Sequence, residues 1–187
     1  MRPGGIGPQP QFTGGTGFQP VRGFRGTRRN LPHLEEAGRT YFVTFRTAGM
    51  RLPDEARKIV FDACLYWRKN KYRLHACVVM PDHVHLLITP LGSEKGEGVC
   101  SLSEIMHSIK SYSSNRINRL LGRRGTLWLD ENHDRIMRSE EEVLEKLNYT
   151  RNNPVRWGLV QQPNDYPFLY DKCQEDGDLN ETRGQAE

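Results

Sequence analysis

The sequence predicts an α+β fold, a ferredoxin-like or RRM-like sandwich in which helices pack on a central antiparallel sheet. Three observations lead to this prediction. The elements follow the order strand, helix, strand, strand, helix, extended segment, helix. The strand segments are rich in β-branched and aromatic residues and end at turn-forming residues. The helical segments carry apolar residues at a spacing of three to four.

The first half of the predicted fold contains one helix among three strands. The helix opens at Pro53-Asp54 because proline and an acidic residue are favoured in a first turn, and its apolar residues recur at helical spacing. Pro81-Asp82 forms a turn between the second and third strands. The predicted elements are a strand at 41–47, a helix from Pro53 to about Asn70, a strand at 72–80, and a strand at 83–89 that Pro90 ends.

The second half is predicted to contain two helices with an extended segment between them. Ser101 or Ser103 can cap the first helix, which continues to about Leu121. Residues 127–137 are expected to be extended, and Ser139-Glu-Glu-Glu142 has the form of a capping box. The last helix is expected to end at Asn153, because proline disfavours helical geometry in the residue before it. The residues expected to face inward from the first helix are Ile105, Ile109, Ile117 and Leu121.

Composition divides the chain into a folded body and two tails. Residues 1–20 contain six glycines and four prolines, and residues 1–30 contain no acid. We expect residues 1–30 to be a disordered arm, 31–170 to be the folded domain, and 171–187 to be a disordered acidic tail. The tail has a net charge of −4 and the chain +4, so the remainder carries +8. A basic body suits a polyanionic partner such as nucleic acid.

Other composition features exclude several protein classes. No apolar run approaches the roughly 18–20 residues that a membrane span needs, and nothing resembles a secretory signal. We therefore expect no membrane association and a cytoplasmic location. None of the four cysteines forms a CxxC pair, so they indicate reduced thiols rather than a zinc site or disulfide framework.

The sequence His83-Val84-His85 is the first candidate for a chemical site. Side chains alternate along a strand, so His83 and His85 share one face while Val84, Leu86 and Ile88 point into apolar packing. Two imidazoles at this spacing can bind one cation together. The alternative is a pair of histidines on a half-exposed strand.

The second candidate is the pair Tyr149 and Asn153 in the last helix. Positions four apart lie one turn apart on the same helix face, which places a phenol beside an amide. Alone, the pair is better explained by a core tyrosine and a helix-ending asparagine, since asparagine is common at helix ends. Together with His83 and His85, the amide oxygen would complete a three-ligand metal site with open positions. A phenol beside such a metal could attack a phosphodiester and form a covalent ester.

These residues occur in segments that resemble the HUH transposases with one catalytic tyrosine, and among them the REP-associated branch. The resemblance runs from about residue 41 to 168, and its specific parts are the Met-Pro-x-His-Val-His and Tyr-x-x-x-Asn-Pro blocks. The segments that carry it are Tyr41-Phe-Val-Thr-Phe45, Val79-Met-Pro-Asp-His-Val-His-Leu-Leu87, Asp134-Arg-Ile-Met-Arg138, Tyr149-x-x-x-Asn153-Pro154-Val155, Gly158-Leu-Val160 and Asp165-Tyr-Pro167.

The resemblance implies an HUH endonuclease fold and a specific activity. It implies that His83, His85 and Asn153 bind Mg²⁺ or Mn²⁺ and that Tyr149 is the nucleophile. Related insertion-sequence enzymes carry glutamine where this chain has Asn153, so the asparagine indicates the REP-associated branch. The implied substrate is single-stranded DNA folded into REP-like hairpins, cut through a 5′-phosphotyrosine intermediate that permits strand transfer. The implied protein is a bacterial, nucleoid-associated monomer or homodimer.

Two basic segments are expected to contact DNA, and one contains a competing tyrosine. Tyr112 lies in a basic helix, but its neighbour four residues on is an arginine, which cannot bind a cation. We interpret that helix as a surface for the DNA backbone and the arm as a second one, with a purely solvated surface as the alternative for each. The predicted contacts are Lys110, Arg116, Arg119 and Arg123 in the helix, and Arg22, Arg25, Arg28 and Arg29 in the arm.

Two rival functions remain open at the level of sequence. The segment beginning at His83 resembles the motif of histidine-triad nucleotide hydrolases, but that motif requires a third histidine where this chain has Leu87. The other rival is a domesticated hairpin-binding protein that has the fold without catalytic activity. All expected catalytic positions are filled, which favours retained activity.

Overall fold

The computed structural model describes residues 38–91 and 100–172. The predicted arm (residues 1–30) and nearly all of the predicted acidic tail (residues 171–187) lie outside these residues. No helix in the described ranges is long and apolar enough to cross a bilayer. The elements are β1 (Tyr41–Arg46), α1 (Asp54–Tyr66), β2 (Tyr72–Val79), β3 (His83–Pro90), α2 (Leu102–Leu120), β4 (His133–Ile136), α3 (Glu140–Arg156), a short 3₁₀ turn (Pro163–Asp165) and β5 (Leu169–Asp171).

The strands form one antiparallel sheet in the order β4-β1-β3-β2-β5. This arrangement confirms the predicted α+β class with a central antiparallel sheet. Strand β3 occupies the centre and is hydrogen-bonded to β1 on one side and β2 on the other. In the register of β1 and β3, Arg46 lies opposite His83 and Thr44 lies opposite His85. Directly opposed residues project from the same face of a sheet, so these pairs are neighbours.

Helices cover both faces of the sheet. The larger core lies on one face, where α1 and α2 pack on β3 residues Val84, Leu86 and Ile88. The other face carries a small cluster of Ala76, Leu87 and Met137, against which α3 packs through partly buried apolar residues. Because side chains alternate along β3, the odd-numbered residues of its first half, including both histidines, face the α3 layer.

The two ends of α2 differ in how well the sequence predicted them. The Ser101 side chain accepts from the Glu104 backbone N–H while the Glu104 carboxylate accepts from the Ser101 N–H, so Ser101 rather than Ser103 is the cap. The prediction that Leu121 faces inward is wrong, because α2 has already ended and Leu121 is exposed.

Helix α1 is also shorter than predicted. It ends at Tyr66, where a tight turn through Trp67 leads Tyr72 into the core.

The prediction that α3 ends at Asn153 is wrong. The helix runs through Pro154 to Arg156, and the Asn153 carbonyl still accepts from the Trp157 N–H at 3.1 Å. Gly158 ends the helix instead, with φ of +66° and the paired hydrogen bonds of a Schellman motif. Proline lacks a backbone N–H and so removes one donor from the helix, which continues for two more residues. At the other end Ser139 caps α3 as predicted, although its partner carboxylate binds a different backbone N–H.

Candidate active site

The two histidines lie side by side on the central strand. His83 and His85 are 2% and 4% exposed, and their ring centroids are 4.7 Å apart. They are therefore buried, unlike the half-exposed pair that was the alternative interpretation. A strand with hydrogen-bonded neighbours on both sides holds its side chains in fixed positions, so the spacing between the two rings is set by the sheet.

Each histidine uses the same ring nitrogen for an internal contact. His83 Nδ1 lies 2.7 Å from an Asp82 carboxylate oxygen, and His85 Nδ1 lies 2.8 Å from Thr44 Oγ1. An ionised carboxylate can only accept, so a neutral His83 ring held in this contact has its proton on Nδ1 and its lone pair on Nε2. Thr44 can accept from His85 in the same way. This pattern, a second group fixing the tautomer of an imidazole, is typical of histidines that bind metals.

His85 is held in its neutral form by its surroundings. Burial, reinforced by the neighbouring His83 and Arg46, lowers the pKa of His85 to about 3. At physiological pH the ring is therefore uncharged and has a lone pair to offer. A neutral imidazole is the form that coordinates metal ions.

Helix α3 places Tyr149 and Asn153 beside the histidines. The Tyr149 ring centroid is 5.2 Å from that of His85, in an edge-to-face arrangement. Asn153, one turn later, is 2% exposed. Its Oδ1 atom is buried without a hydrogen-bond partner among the described residues, and so is Nε2 of His85. Buried polar atoms without partners cost free energy and indicate a binding role.

These residues fit a divalent metal ion. Among residues 38–91 and 100–172, no group made up of three or more His, Cys, Asp or Glu side chains could hold a metal ion. A site here would therefore use the amide oxygen of Asn153 as its third protein ligand. Two imidazoles and one oxygen leave coordination positions open for water or phosphate, as catalytic sites require. The unpaired Nε2 and Oδ1 atoms are the atoms that would bind the ion.

Several residues around Tyr149 were not predicted from the sequence. Phe42 stacks on His85 with ring centroids 5.3 Å apart, and the Trp157 ring lies 5.5 Å from that of His83. Lys146 Nζ and the Arg156 guanidinium lie 5.7 and 5.4 Å from the centre of the Tyr149 ring. The two basic residues are three before and seven after the tyrosine, so helical periodicity alone would have placed them on its face.

Strand β1 supplies a third basic residue, Arg46, which was also not predicted. It lies opposite His83 in the sheet and is exposed. Together with Asp82 and Met50 it lines a shallow depression of about 210 Å³ at this end of the sheet. The basic residues therefore approach the candidate site from both β1 and α3, which suits a phosphodiester substrate.

The competing tyrosine lies far from the histidines. Tyr112 is 51% exposed on α2, and α2 packs on the opposite face of the sheet. The sheet therefore separates Tyr112 from His83 and His85. This leaves Tyr149 as the tyrosine that contacts the histidine pair.

The basic residues predicted on α2 and just after it have different surroundings. Arg116 and Arg119 are exposed, as a DNA-contacting surface requires. Lys110 instead donates to the Leu129 carbonyl at 2.5 Å and to Asn132 at 3.0 Å, and partial burial lowers its pKa. Arg123 contacts the Met50 sulfur and the Thr126 carbonyl. The predicted contacts Arg22, Arg25, Arg28 and Arg29 lie outside the described residues.

The structure also bears on the nucleotide-hydrolase alternative. The position where that motif requires a third histidine is Leu87, which is fully buried in the small cluster with Ala76 and Met137. A leucine packed between apolar side chains has no chemical role in a triad. The third polar group beside the two histidines comes from α3 instead.

Comparison with known protein families finds one similarity, in the middle of the chain. Residues 52–134 match the family described as transposase IS200 like, a segment that runs from before α1 into β4 and contains both histidines. In this segment, which is less than half of the chain, the sequence is similar to the IS200-like transposase family. Tyr149 and Asn153 lie beyond the matched residues, so their roles depend on the geometry above. Among curated protein sequences, none matches the chain significantly.

Comparison with solved structures supports the same fold. A REP-associated tyrosine transposase bound to a REP hairpin is similar at a TM-score of 0.58 and 22% identity, over 72% of this chain and 78% of that one. A candidate transposase from Deinococcus radiodurans R1 is similar at a TM-score of 0.41 and 22% identity, over 63% of this chain and 92% of that one. The first of these similarities shows the shared fold.

Proposed function

We propose that this protein is a metal-dependent endonuclease that cuts single-stranded DNA hairpins of the REP type through a covalent bond to Tyr149. One observation carries the proposal. Tyr149 contacts His85, and the helix that holds Tyr149 also holds Asn153, whose buried amide oxygen has no partner among the described residues. A phenol, two imidazoles and an amide oxygen are the groups that this chemistry needs.

His83, His85 and Asn153 would hold the metal, for which Mg²⁺ and Mn²⁺ are the expected ions. When bound, the ion would supply a Lewis acid for an oxygen of the scissile phosphate. Asp82 and Thr44 fix the imidazole rings through Nδ1, so that both Nε2 atoms remain available. Their role in the proposed site is to orient these ligands.

Tyr149 would act as the nucleophile. Its hydroxyl oxygen forms a bond to phosphorus while the bond from phosphorus to the 3′ oxygen breaks, and the phenolic proton passes by way of water to the departing 3′ oxygen. The products are a 5′-phosphotyrosine and a free 3′-hydroxyl on the other strand segment. Attack on this ester by another 3′-hydroxyl would transfer the strand and release the tyrosine. Lys146 and Arg156, which face the Tyr149 ring, would stabilise the added negative charge.

The proposed substrate is a DNA hairpin with an unpaired flank. A protein with the same fold has been solved with a REP hairpin bound, and we propose the same class of substrate for this chain. Arg46 and the exposed arginines Arg116 and Arg119 would contact phosphates, as would the basic arm. The protein would act on DNA in the bacterial cytoplasm.

The decisive experiment is a covalent-adduct assay with labelled single-stranded DNA from the inverted repeats that flank the gene. The wild-type protein with Mg²⁺ or Mn²⁺ should yield a protein–DNA adduct that survives denaturation, and excess chelator should abolish it. Tyr149→Phe should form no adduct yet bind the hairpin. Tyr112→Phe is the matched control and should react normally, because α2 lies on the other face of the sheet.

Three outcomes would contradict the proposal. Adduct formation by Tyr149→Phe together with its loss in Tyr112→Phe would show that the other tyrosine is the nucleophile. Tight hairpin binding by the wild-type protein, without adduct under any metal condition, would favour the catalytically silent hairpin-binding protein. Equal cleavage of duplex and hairpin DNA would refute the proposed substrate class.

A further inference from the structure

Trp157 is an exposed aromatic residue at the edge of the candidate site. Its side chain is 48% exposed, whereas Trp128 is buried and Trp67 is partly buried. Tyr66 and Tyr112 are also exposed, but among the exposed aromatic side chains of the described residues Trp157 is the one whose ring contacts the histidine pair. The chain contains three tryptophans, and Trp157 alone has a largely accessible ring.

The position of Trp157 is set by the end of α3. Trp157 is the C-cap residue of α3. The Schellman hydrogen bonds around Gly158 fix the backbone that directly follows Trp157. Its ring centroid lies 5.5 Å from that of His83, with 51° between the ring planes. The preceding residue, Arg156, faces the Tyr149 ring. The indole therefore lies at the border between the histidine pair and solvent, next to a basic side chain.

From this geometry we infer that Trp157 is a stacking site for an unpaired nucleobase adjacent to the scissile phosphate. The inference rests on the proposed function and adds to it a specific subsite. Stacking on exposed aromatic side chains is the usual way in which proteins hold unpaired bases. The basic residues Arg46, Lys146 and Arg156 would neutralise the phosphates that accompany such a base, and they make the site a poor one for an apolar protein surface.

A purely structural role for Trp157 makes different demands. A side chain that only covers His83 needs apolar area, which leucine supplies as well as tryptophan. A base-stacking side chain needs a flat aromatic face, which phenylalanine keeps and leucine lacks. The two roles can therefore be separated by comparing Trp157→Phe with Trp157→Leu.

The test measures binding of a synthetic DNA hairpin with unpaired flanks of several nucleotides on each side. Binding is measured in chelator with Tyr149→Phe protein, so that neither metal nor cleavage is needed. Adding Trp157→Leu should weaken binding about 5- to 100-fold, the range that one base–aromatic stack supports, while Trp157→Phe should retain most of the affinity. Leu159→Ala, which removes an exposed apolar side chain from the next turn, is the matched control and should bind normally.

Abasic substitution identifies the stacked base. One abasic position in the flank should weaken binding by the Tyr149→Phe protein, and the same position should have no further effect when Trp157 is leucine. Tryptophan fluorescence should also be quenched by the intact hairpin and not by the DNA with that abasic position. This quenching should be largely lost in the Trp157→Phe variant, since Trp128 is buried and Trp67 packs against the main core, on the other face of the sheet.

The inference is overturned if Trp157→Leu binds every oligonucleotide as tightly as the parent protein. It is also overturned if the variant slows cleavage with no change in affinity or in the abasic profile, because Trp157 would then only support His83. Failure of the proposed function has a different signature. In that case no adduct forms, while the binding and fluorescence effects in chelator persist.

Discussion

Replacing Asn153 with leucine should make the metal-free protein more stable while it removes metal binding. The amide oxygen of Asn153 is buried without a partner among the described residues, and such an atom costs about 1–3 kcal/mol of folding free energy. Leucine has a similar size and a better helix propensity by roughly 0.5 kcal/mol. In chelator, Asn153→Leu should therefore raise the free energy of unfolding by about 1–3 kcal/mol.

The effect should reverse when metal is present. A ligand at a hundred times its Kd stabilises the folded state by about 2.7 kcal/mol, and only the wild-type protein would gain this. For a chain of this size each kcal/mol corresponds to about 2–4 °C in Tm. In chelator, the variant should thus have a higher free energy of unfolding and a higher Tm than the wild type, measured by chemical and thermal denaturation. In saturating Mn²⁺ this difference should vanish or change sign.

A neighbouring residue provides the matched control. Asn152 is exposed on the same helix and donates to the Asn148 carbonyl at 2.9 Å. Asn152→Leu changes only helix propensity and one exposed hydrogen bond, so its effect should be small and independent of metal. A lower stability of Asn153→Leu in chelator would refute the reasoning, because it would show that the amide makes structural hydrogen bonds and is not held ready for a ligand.

Three further predictions concern the support of the site, the DNA surface and the fold. Thr44→Val removes the hydroxyl that contacts His85 and should weaken Mn²⁺ binding about 10- to 100-fold by calorimetry, whereas Thr44→Ser should bind normally; equal affinities would exclude the orienting role. The double change Arg116→Ala and Arg119→Ala should make hairpin binding less dependent on salt. In a plot of the logarithm of the binding constant against the logarithm of the salt concentration, the slope should decrease in magnitude by about 0.7–0.9 for each phosphate that is no longer neutralised. An unchanged slope would mark these side chains as simply solvated. Ser101→Ala removes the cap of α2 and should cost about 0.5–2 kcal/mol in denaturant unfolding; an unchanged stability would mean that the capping box contributes nothing.

The parts of the site that the sequence predicted well are those governed by local periodicity. Alternation along a strand is enough to place His83 and His85 on one face, and helical spacing is enough to align Tyr149 with Asn153. These relations hold within a single element, whatever its neighbours are. The α+β class followed for the same reason, since it depends on the order of elements and on their separate periodicities.

The contacts between elements could not be obtained in this way. That Thr44 meets His85 depends on the register of β1 against β3, two segments about forty residues apart in the chain, and no local pattern specifies it. Lys110 was expected to be free for DNA, but its ammonium group binds the loop that follows α2. The sequence prediction ended α3 three residues too early, at Asn153, because proline disfavours helical geometry in the residue before it. In the structure the helix continues past Pro154, and Gly158 in the left-handed conformation ends it.

The two halves of the candidate site differ in how firmly the protein holds them. The histidines belong to the central strand, whose backbone amides are hydrogen-bonded on both sides and buried by the main core. Tyr149 belongs to a helix whose Val143 and Leu147 pack against the small apolar cluster of Ala76, Leu87 and Met137. Amide hydrogens of β3 should therefore exchange with solvent only on global unfolding. Those of α3 should exchange through local opening, which requires less free energy than global unfolding. Tyr149, the proposed nucleophile, can thus detach transiently from its partners while the rest of the molecule stays folded, so loss of the proposed activity on warming should precede melting of the sheet.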